Sequence, residues 1–443
     1  MAADFAIRVA TIDDAVLLAE IERAADQRYL ETIYADLLHD EAIPDDVARR
    51  YCEQGRVFVA EVGDRVVGYL AWDLEPDPDH LCISQVSVLP GFGQRGIGAA
   101  LMRRAIETAL AKGVPHIVLA TFVDVAWNEP WYRRLGFRFI DPAEWTTWMR
   151  EVVDAQRDHL PWDQRVWMQL DVDVLQGGVA NAGAVVRVGA ELRRPSNPNS
   201  ATIHRLLDHV RNAGFEGASQ PIAIDDGSER LGFIDGDVPL PPYPFWAQTD
   251  ESLASTARLI RGLHDASIGF DLTDASWSGE MADPVTGGDI GTTHDLVICH
   301  NDVCMENVVF RDGVAVALLD FDFASPGRRV YDLANFARMC VPTDDDTGAA
   351  QLGWDPADRP HRLAVIADAY GLDGDRRAEL LVCLDATIAR GGEFVARRVE
   401  AGEQAFVEMW ESMGGMACFD ARRAYWAANR RCFAEALARS TNR

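Results

Sequence analysis

The octapeptide His300-Asn301-Asp302-Val303-Cys304-Met305-Glu306-Asn307 sets a histidine, a carboxylate and an amide at H-x-D-x-x-x-x-N spacing. An apolar stretch follows, broken by Asp312-Gly313, the dipeptide that a tight type I′ hairpin turn prefers. Its second half, Val314–Leu319, delivers Asp320 in Asp320-Phe321-Asp322. Phosphoryl transfer uses such a set. One carboxylate orients the attacking hydroxyl and accepts its proton, while an amide and a second carboxylate hold Mg²⁺ against the nucleotide phosphates. A hairpin between the acids fixes their separation whatever their distance along the chain. Asp, Asn and His also gather in ordinary turns, but octapeptide, hairpin and following acid together argue for a catalytic loop.

This stretch resembles the aminoglycoside phosphotransferase family, relatives of protein kinases that act on small molecules. The family's loop commonly reads H-G-D-x-x-x-x-N, followed by a strand ending in Asp and later by Y-D-L-A. The matching residues are His300, Asp302, Asn307, Asp320 and Tyr331-Asp332-Leu333-Ala334. The resemblance covers about Val174–Arg443. It implies Asp302 as catalytic base, Asn307 and Asp320 as Mg²⁺ ligands, and ATP or GTP as donor. Asn301 stands where the family commonly has glycine. Gly177-Gly178 sits where a phosphate-covering turn would lie, and a plain hairpin turn is an equal reading. Kinase-like folds also bring a strand lysine to the phosphates. The chain's single lysine is Lys112, so Arg193 or Arg194 is the candidate, since arginine binds phosphate oxygens bidentately; two solvated edge-strand arginines are the competing reading. Phe233-Ile234-Asp235-Gly236 is expected to be the hinge that cradles the base.

A second constellation lies upstream. Gly91-Phe92-Gly93-Gln94-Arg95-Gly96-Ile97-Gly98 follows a strand ending at Val88 and opens a helix. Its literal G-x-G-x-x-G is a weak dinucleotide signal. Several strands precede it, Pro90 interrupts its entry, and no acidic residue stands at position 116. Backbone N–H groups at the helix start binding a pyrophosphate is the better reading. The stretch looks like the Gcn5-related N-acetyltransferase (GNAT) family, whose signature is Q/R-x-x-G-x-G/A. Gly96 and Gly98 match its two glycines, and Gly93 replaces its leading Gln or Arg. Asn128 to Phe137 resembles the family's N-x-x-x-x-Y-x-x-x-G-F. The resemblance covers about Ile7–Val172. It implies acetyl-CoA held by the backbone of Gln94, Arg95, Gly96, Ile97, Gly98 and Ala99, with Val88 pairing with the pantetheine arm and Asn128 helping to hold the cofactor. Tyr132 is then the acid that protonates the departing thiolate, against a plain core aromatic as the competing reading. Ser84 and Gln85 occupy strand positions where this family often carries Glu, so no general base stands out.

The elements that must position these groups read as two domains, 1–172 and 173–443, since 443 residues exceed one core. The fold class is α+β: a GNAT-like mixed-sheet domain followed by a bilobal, protein-kinase-like phosphotransferase. Val57–Val62 and Arg65–Trp72 form a hairpin at Gly63-Asp64, Ser84–Val88 is a strand, and Gly98–Lys112 is an amphipathic helix closing at Gly113. Strands over His116–Thr121 and Arg165–Val172 follow, with a short helix around Trp131–Leu135. Further on, Val174–Gly178, Ala184–Val188, Glu191–Arg194 and Arg230–Phe233 read as strands and Ala201–Asn212 as a helix. After Pro239–Pro244 the pattern turns helical.

A net charge of -28 disfavours nucleic-acid binding through a basic face. No run reaches the roughly 18 apolar residues of a membrane span, and the first residues show no secretory pattern, so a cytoplasmic protein is expected. The eight cysteines make no C-x-x-C pair, which disfavours a zinc site. The reading is a bifunctional transferase acting on small molecules: acetyl transfer to an amine and phosphoryl transfer to a hydroxyl, on an aminoglycoside or amino sugar. The alternative is a metabolic kinase with a non-catalytic acyl-CoA sensor.

Overall fold

The computed structural model describes residues 5–35, 42–74, 77–125, 127–158, 160–175, 185–225, 227–285 and 296–440. Gly177 and Gly178 lie outside the described residues. The chain divides into two compact units. The first comprises the described residues through Leu175 with Val186–Glu191, and the second those from Leu192 onward, with Val185.

In the first unit one sheet runs in the order β1 (Ala6–Val9), β2 (Val57–Val62), β3 (Arg65–Asp73), β4 (His80–Val88), β5 (His116–Phe122), β7 (Arg165–Val174). β6 (Arg138–Phe139) and β8 (Val186–Val188) both pair with β7. The pair of β4 with β5 is parallel and the other pairs are antiparallel. Strand alternation decides which helix covers which face. Phe58 and Ala60 of β2, with Leu70 and Trp72 of β3, meet α3 (Ile97–Lys112) through its stripe of Ile97, Leu101, Met102, Ala105 and Ala109. Val57, Val59, Tyr69 and Ala71 face the other way. There they pack on Leu18 and Ile21 of α1 (Ala15–Asp26) and Ala48 and Cys52 of α2 (Asp45–Glu53). Each fully buried Leu or Ile in these layers stabilises by about 1.5–3 kcal/mol relative to exposure. α4 (Glu129–Arg134) and α5 (Thr147–Gln156) complete the unit.

Two features position a site. β4 and β5 pair only from His80↔His116 to Cys82↔Val118. Beyond that point the strands part, leaving backbone groups of Ile83–Val88 on the open side of a wedge. The glycine loop then crosses the wedge into α3. The strand read as ending at Val172 runs on to Val174, where Val172–Val174 pair with Val188–Val186.

The second unit begins with a small lobe. β9 (Glu191–Pro195), whose residues from Leu192 belong here, sits beside β11 (Ser228–Gly232), which pairs in turn with β10 (Pro221–Asp225). α6 (Ser200–Asn212) contributes Ile203, Leu206, Leu207 and Val210 to the core. The larger lobe holds α7 (Asp250–Ala266), α8 (Arg329–Cys340), α9 (Asp346–Gln351), α10 (Arg359–Tyr370), α11 (Gly374–Glu400), α12 (Gln404–Ser412) and α13 (Met416–Ser440). Two ribbons lie among them: β12 (Leu296–Cys299) with β15 (Ser325–Arg328), and β13 (Val308–Arg311) with β14 (Val314–Leu318). The second is the hairpin read from Asp312-Gly313, with Asp312 and Gly313 at φ +51° and +75° as the turn requires. The chain just after Phe233-Ile234-Asp235-Gly236 crosses it closely: Asp237 and Phe310 exchange two backbone hydrogen bonds at 2.8 Å. A Cβ on Gly236 would stand 2.5 Å from the Val309 side chain and 2.6 Å from the Phe310 carbonyl.

Candidate active sites

The wedge of the first unit opens into a cleft of about 1340 Å³. That exceeds the about 300–1,000 Å³ of an ordinary small-molecule pocket. Val88, Gln94, Gly96, Ile97, Gly98, Ala99, Asn128 and Tyr132 all line it. Arg95 lies instead beside the Phe92 ring, 5.2 Å from its centroid. The loop needs left-handed backbone at Gln94 (φ +61°) and at Gly96 (φ +85°). A Cβ on Gly96 would meet nothing within 4 Å, so the space before the helix is open. The first N–H groups of α3 have no acceptor within the helix, and the macrodipole favours an anion there. Gly98 answers a different need: a Cβ there would press to 3.2 Å on Trp131.

Tyr132 is buried, 8% exposed, with ring contacts to Trp131 and Phe137 at 4.8 and 5.7 Å. Burial raises its phenol well above the ordinary tyrosine range, so it holds its proton until a strongly basic group appears. The Asn128 amide donates to the Tyr29 hydroxyl at 2.8 Å, which makes Asn128 a brace between α4 and the segment after α1. The same cleft is lined by Glu22, Asp26 and Tyr34, which sequence reasoning passed over. Their signal was an acid pair one helical turn apart in α1.

In the second unit the loop from His300 to Asn307 hangs from Asp332. Its carboxylate accepts from the backbone N–H of His300 at 2.8 Å and of Asn301 at 2.7 Å, and it pairs with His264 Nε2 at 2.9 Å. Burial alone would raise the Asp332 pKa, but hydrogen bonding and the His264 charge bring it below the usual carboxylate value. His300 Nε2 contacts the Leu319 carbonyl at 2.8 Å, tying loop to hairpin. Asn301 adopts φ +66°, the conformation for which glycine is the usual choice. Its amide donates to the Phe323 carbonyl at 3.0 Å and to Ser325 Oγ at 2.8 Å, which offsets the strain.

Asp302 and Asn307 are brought together: the Asn307 amide donates to Asp302 Oδ2 at 3.1 Å and to its carbonyl at 2.9 Å. Asp320 follows closely on β14, and between them the Leu319 N–H bonds the backbone carbonyl of Asn307 at 2.8 Å. Burial, reinforced by the Asp320 charge, pushes Asp302 up to about 7, and the charge of Arg338 opposes that rise. Asp320 is itself engaged. Arg194, 7% exposed, donates Nη1 to Asp320 at 2.9 Å, Nη2 to Asp322 at 2.6 Å and Nε to Glu229 at 2.5 Å. Of the two arginines, Arg194 is the one carried to the Asp-Phe-Asp segment. Arg193, its neighbour on β9, falls on the opposite face by strand alternation. Glu229, with its side chain fully buried, also contacts His204 at 3.1 Å. A buried acid in a strand must have such a partner.

The first unit thus holds an open cleft at the start of α3, and the second a loop in which Asp302 and Asn307 meet. Residues 18–137 match the Acetyltransferase (GNAT) family, and residues 287–381 the Phosphotransferase enzyme family. The two matches follow one another along the chain, the GNAT match first and the phosphotransferase match after it. It is 30% identical over 197 residues to the trifolitoxin immunity protein of Rhizobium leguminosarum bv. trifolii, covering 44% of this chain and 72% of that protein. It is 34% identical over 101 residues to the streptothricin acetyltransferase of Streptomyces lavendulae, covering 21% of this chain and 51%, about half the length, of that protein. Among solved structures, PaiA N-acetyltransferase from Thermoplasma acidophilum in complex with coenzyme A is similar at 14% identity and TM-score 0.30, over 37% of this chain and 97% of that one. No described helix is long and apolar enough to cross a membrane.

Proposed function

We propose that the chain is a bifunctional transferase: the first unit moves an acetyl group from acetyl-CoA to an amine, and the second moves a phosphoryl group from ATP or GTP to a hydroxyl. The observation that carries this reading is the convergence of Asp302, Asn307 and Asp320 on one hairpin and its loop in the second unit, while the first unit has its own cleft lined by Gly96 and Tyr132. The name of the streptothricin-modifying relative supports an amino-sugar or aminoglycoside-like acceptor.

In the second unit Asp302 orients the acceptor hydroxyl and takes its proton. Asn307 commits its amide N–H groups to Asp302, and its carbonyl oxygen and the Asp320 carboxylate are hard oxygen donors of the kind Mg²⁺ takes. The ion, when bound, supplies charge neutralisation at the phosphates. Arg194 must give up part of its carboxylate contacts to reach a phosphate. In the first unit the α3 N-terminus and the open space at Gly96 suit the pyrophosphate of acetyl-CoA, and Tyr132 delivers a proton to the leaving thiolate. Incubating the protein with acetyl-CoA and streptothricin, and separately with ATP, Mg²⁺ and a panel of amino sugars, tests both halves. Acceptor-dependent thiol release and acceptor-dependent ADP formation with phosphorylation of the acceptor are expected. Failure of thiol release across the panel would remove the acetyltransferase assignment.

A further inference from the structure

We infer that Asp26 is the base that takes the proton from the acceptor ammonium in the acetyl-transfer cleft, and that Asp26 with Glu22 selects a cationic primary amine as acceptor. The inference rests on the reading of that cleft as an acetyl-transfer site.

The cleft lacks an acid where a base is expected on β4. Ser84 and Gln85 stand there, and Gln85 Nε2 donates to Ser87 Oγ at 3.1 Å. Acids enter from the facing helix instead. Glu22 and Asp26, one turn apart on α1, both line the cleft together with Gln85, Gly96 and Tyr132. The two acids are held differently. Glu22, 8% exposed, accepts from the Tyr69 hydroxyl at 2.8 Å and the Ile43 N–H at 2.9 Å. Asp26 is half-buried and open to the cleft, and burial together with the Glu22 charge pushes it up to about 6. A carboxylate so placed is ionised at neutral pH yet basic enough to take a proton, the condition a general base needs.

A second feature of the cleft is independent of the acids. The Tyr34 hydroxyl, on a residue 2% exposed, has no hydrogen-bond partner among the described residues and lines the same space. Buried hydroxyls are ordinarily paired, so a polar acceptor molecule would complete it. The other charged or titratable groups facing this region are Arg23, Arg28, Tyr29, Tyr69, Arg134 and Arg165.

The step balances. The acceptor enters as R–NH₃⁺, and Asp26 takes one proton to give the free amine. The amine nitrogen bonds to the acetyl carbonyl carbon and the C–S bond breaks. The thiolate takes the Tyr132 proton, the amide nitrogen returns one to Tyr132, and Asp26 releases its proton to water. The products are N-acetylamine, coenzyme A thiol and H⁺.

Asp26→Asn tests this with acetyl-CoA and streptothricin. The wild-type kcat/KM for the amine is expected to rise with pH through about 6, the ionised base being the active form. Asp26→Asn is expected to lower it on the order of 10²-fold and abolish that limb, with acetyl-CoA affinity by calorimetry within twofold of wild type. Asp26→Glu should restore part of the rate. Unaltered kcat/KM and pH profile in Asp26→Asn would overturn the inference. If streptothricin is not acetylated, carboxyl-carbon NMR decides: a side chain titrating near 6 in wild type and missing from Asp26→Asn supports it, and ordinary titration near 4 overturns it. Failure of acetyl-CoA to bind the wild-type protein would strike the underlying reading of the cleft instead.

Discussion

Arg194 Nη1 donates to Asp320 Oδ1 at 2.9 Å, so a guanidinium of the chain sits on a carboxylate proposed to hold Mg²⁺. The same arginine reaches Glu229 and Asp322. Burial together with the charge of Asp320 already raises Asp322 to about 6, and Arg194 is the cation that opposes this.

Arg194→Ala should therefore destabilise the second unit. Removing one partner of a buried ion pair costs about 3–5 kcal/mol, and here three acids lose the same partner. Urea denaturation should show the loss, and low pH should narrow it as the stranded acids protonate. A midpoint equal to wild type at neutral pH would mean the bracket contributes nothing.

Asn301 separates two costs. Asn301→Gly keeps a left-handed backbone without strain but loses the bonds to Phe323 and Ser325, about 1 kcal/mol each. Asn301→Ala loses the same bonds and adds about 1–2 kcal/mol of strain. The alanine variant should unfold at the lower denaturant concentration. The reverse order would contradict this account of the loop.

Gly96→Val puts a β-branched residue at φ +85° and bulk into the open space before α3. Acetyl-CoA affinity should fall at least tenfold, about 1.4 kcal/mol, by calorimetry. Phosphoryl transfer should stay as it was. Gly98→Leu should act differently, through displacement of Trp131 rather than through the pyrophosphate site.

The two motifs were legible because their chemistry demands fixed residue types at short spacing, as at His300–Asn307 and Gly91–Gly98. The hairpin was legible from Asp312-Gly313, and α3 from its apolar stripe and Gly113. What was not legible depends on distant parts of the chain. α1 and α2 escaped sequence reading, and with them Glu22 and Asp26, because an acid pair on a helix looks like a solvated face until a sheet closes over it. Tyr331-Asp332-Leu333-Ala334 was recognisable as a motif. That Asp332 holds up residues 300 and 301 could be seen only once α8 met the loop. Glu229 lies 35 residues from its partner Arg194, a separation that no local pattern carries.

The central claim is that Asp302 performs phosphoryl transfer in a chain whose acetyl transfer is a separate activity. Asp302→Asn, assayed for both activities in one preparation, tests it most directly. The expected result is a loss of phosphoryl transfer on the order of 10² or more, with nucleotide affinity and acetyl-CoA-dependent thiol release unchanged. Near-normal phosphoryl transfer by Asp302→Asn would contradict the account.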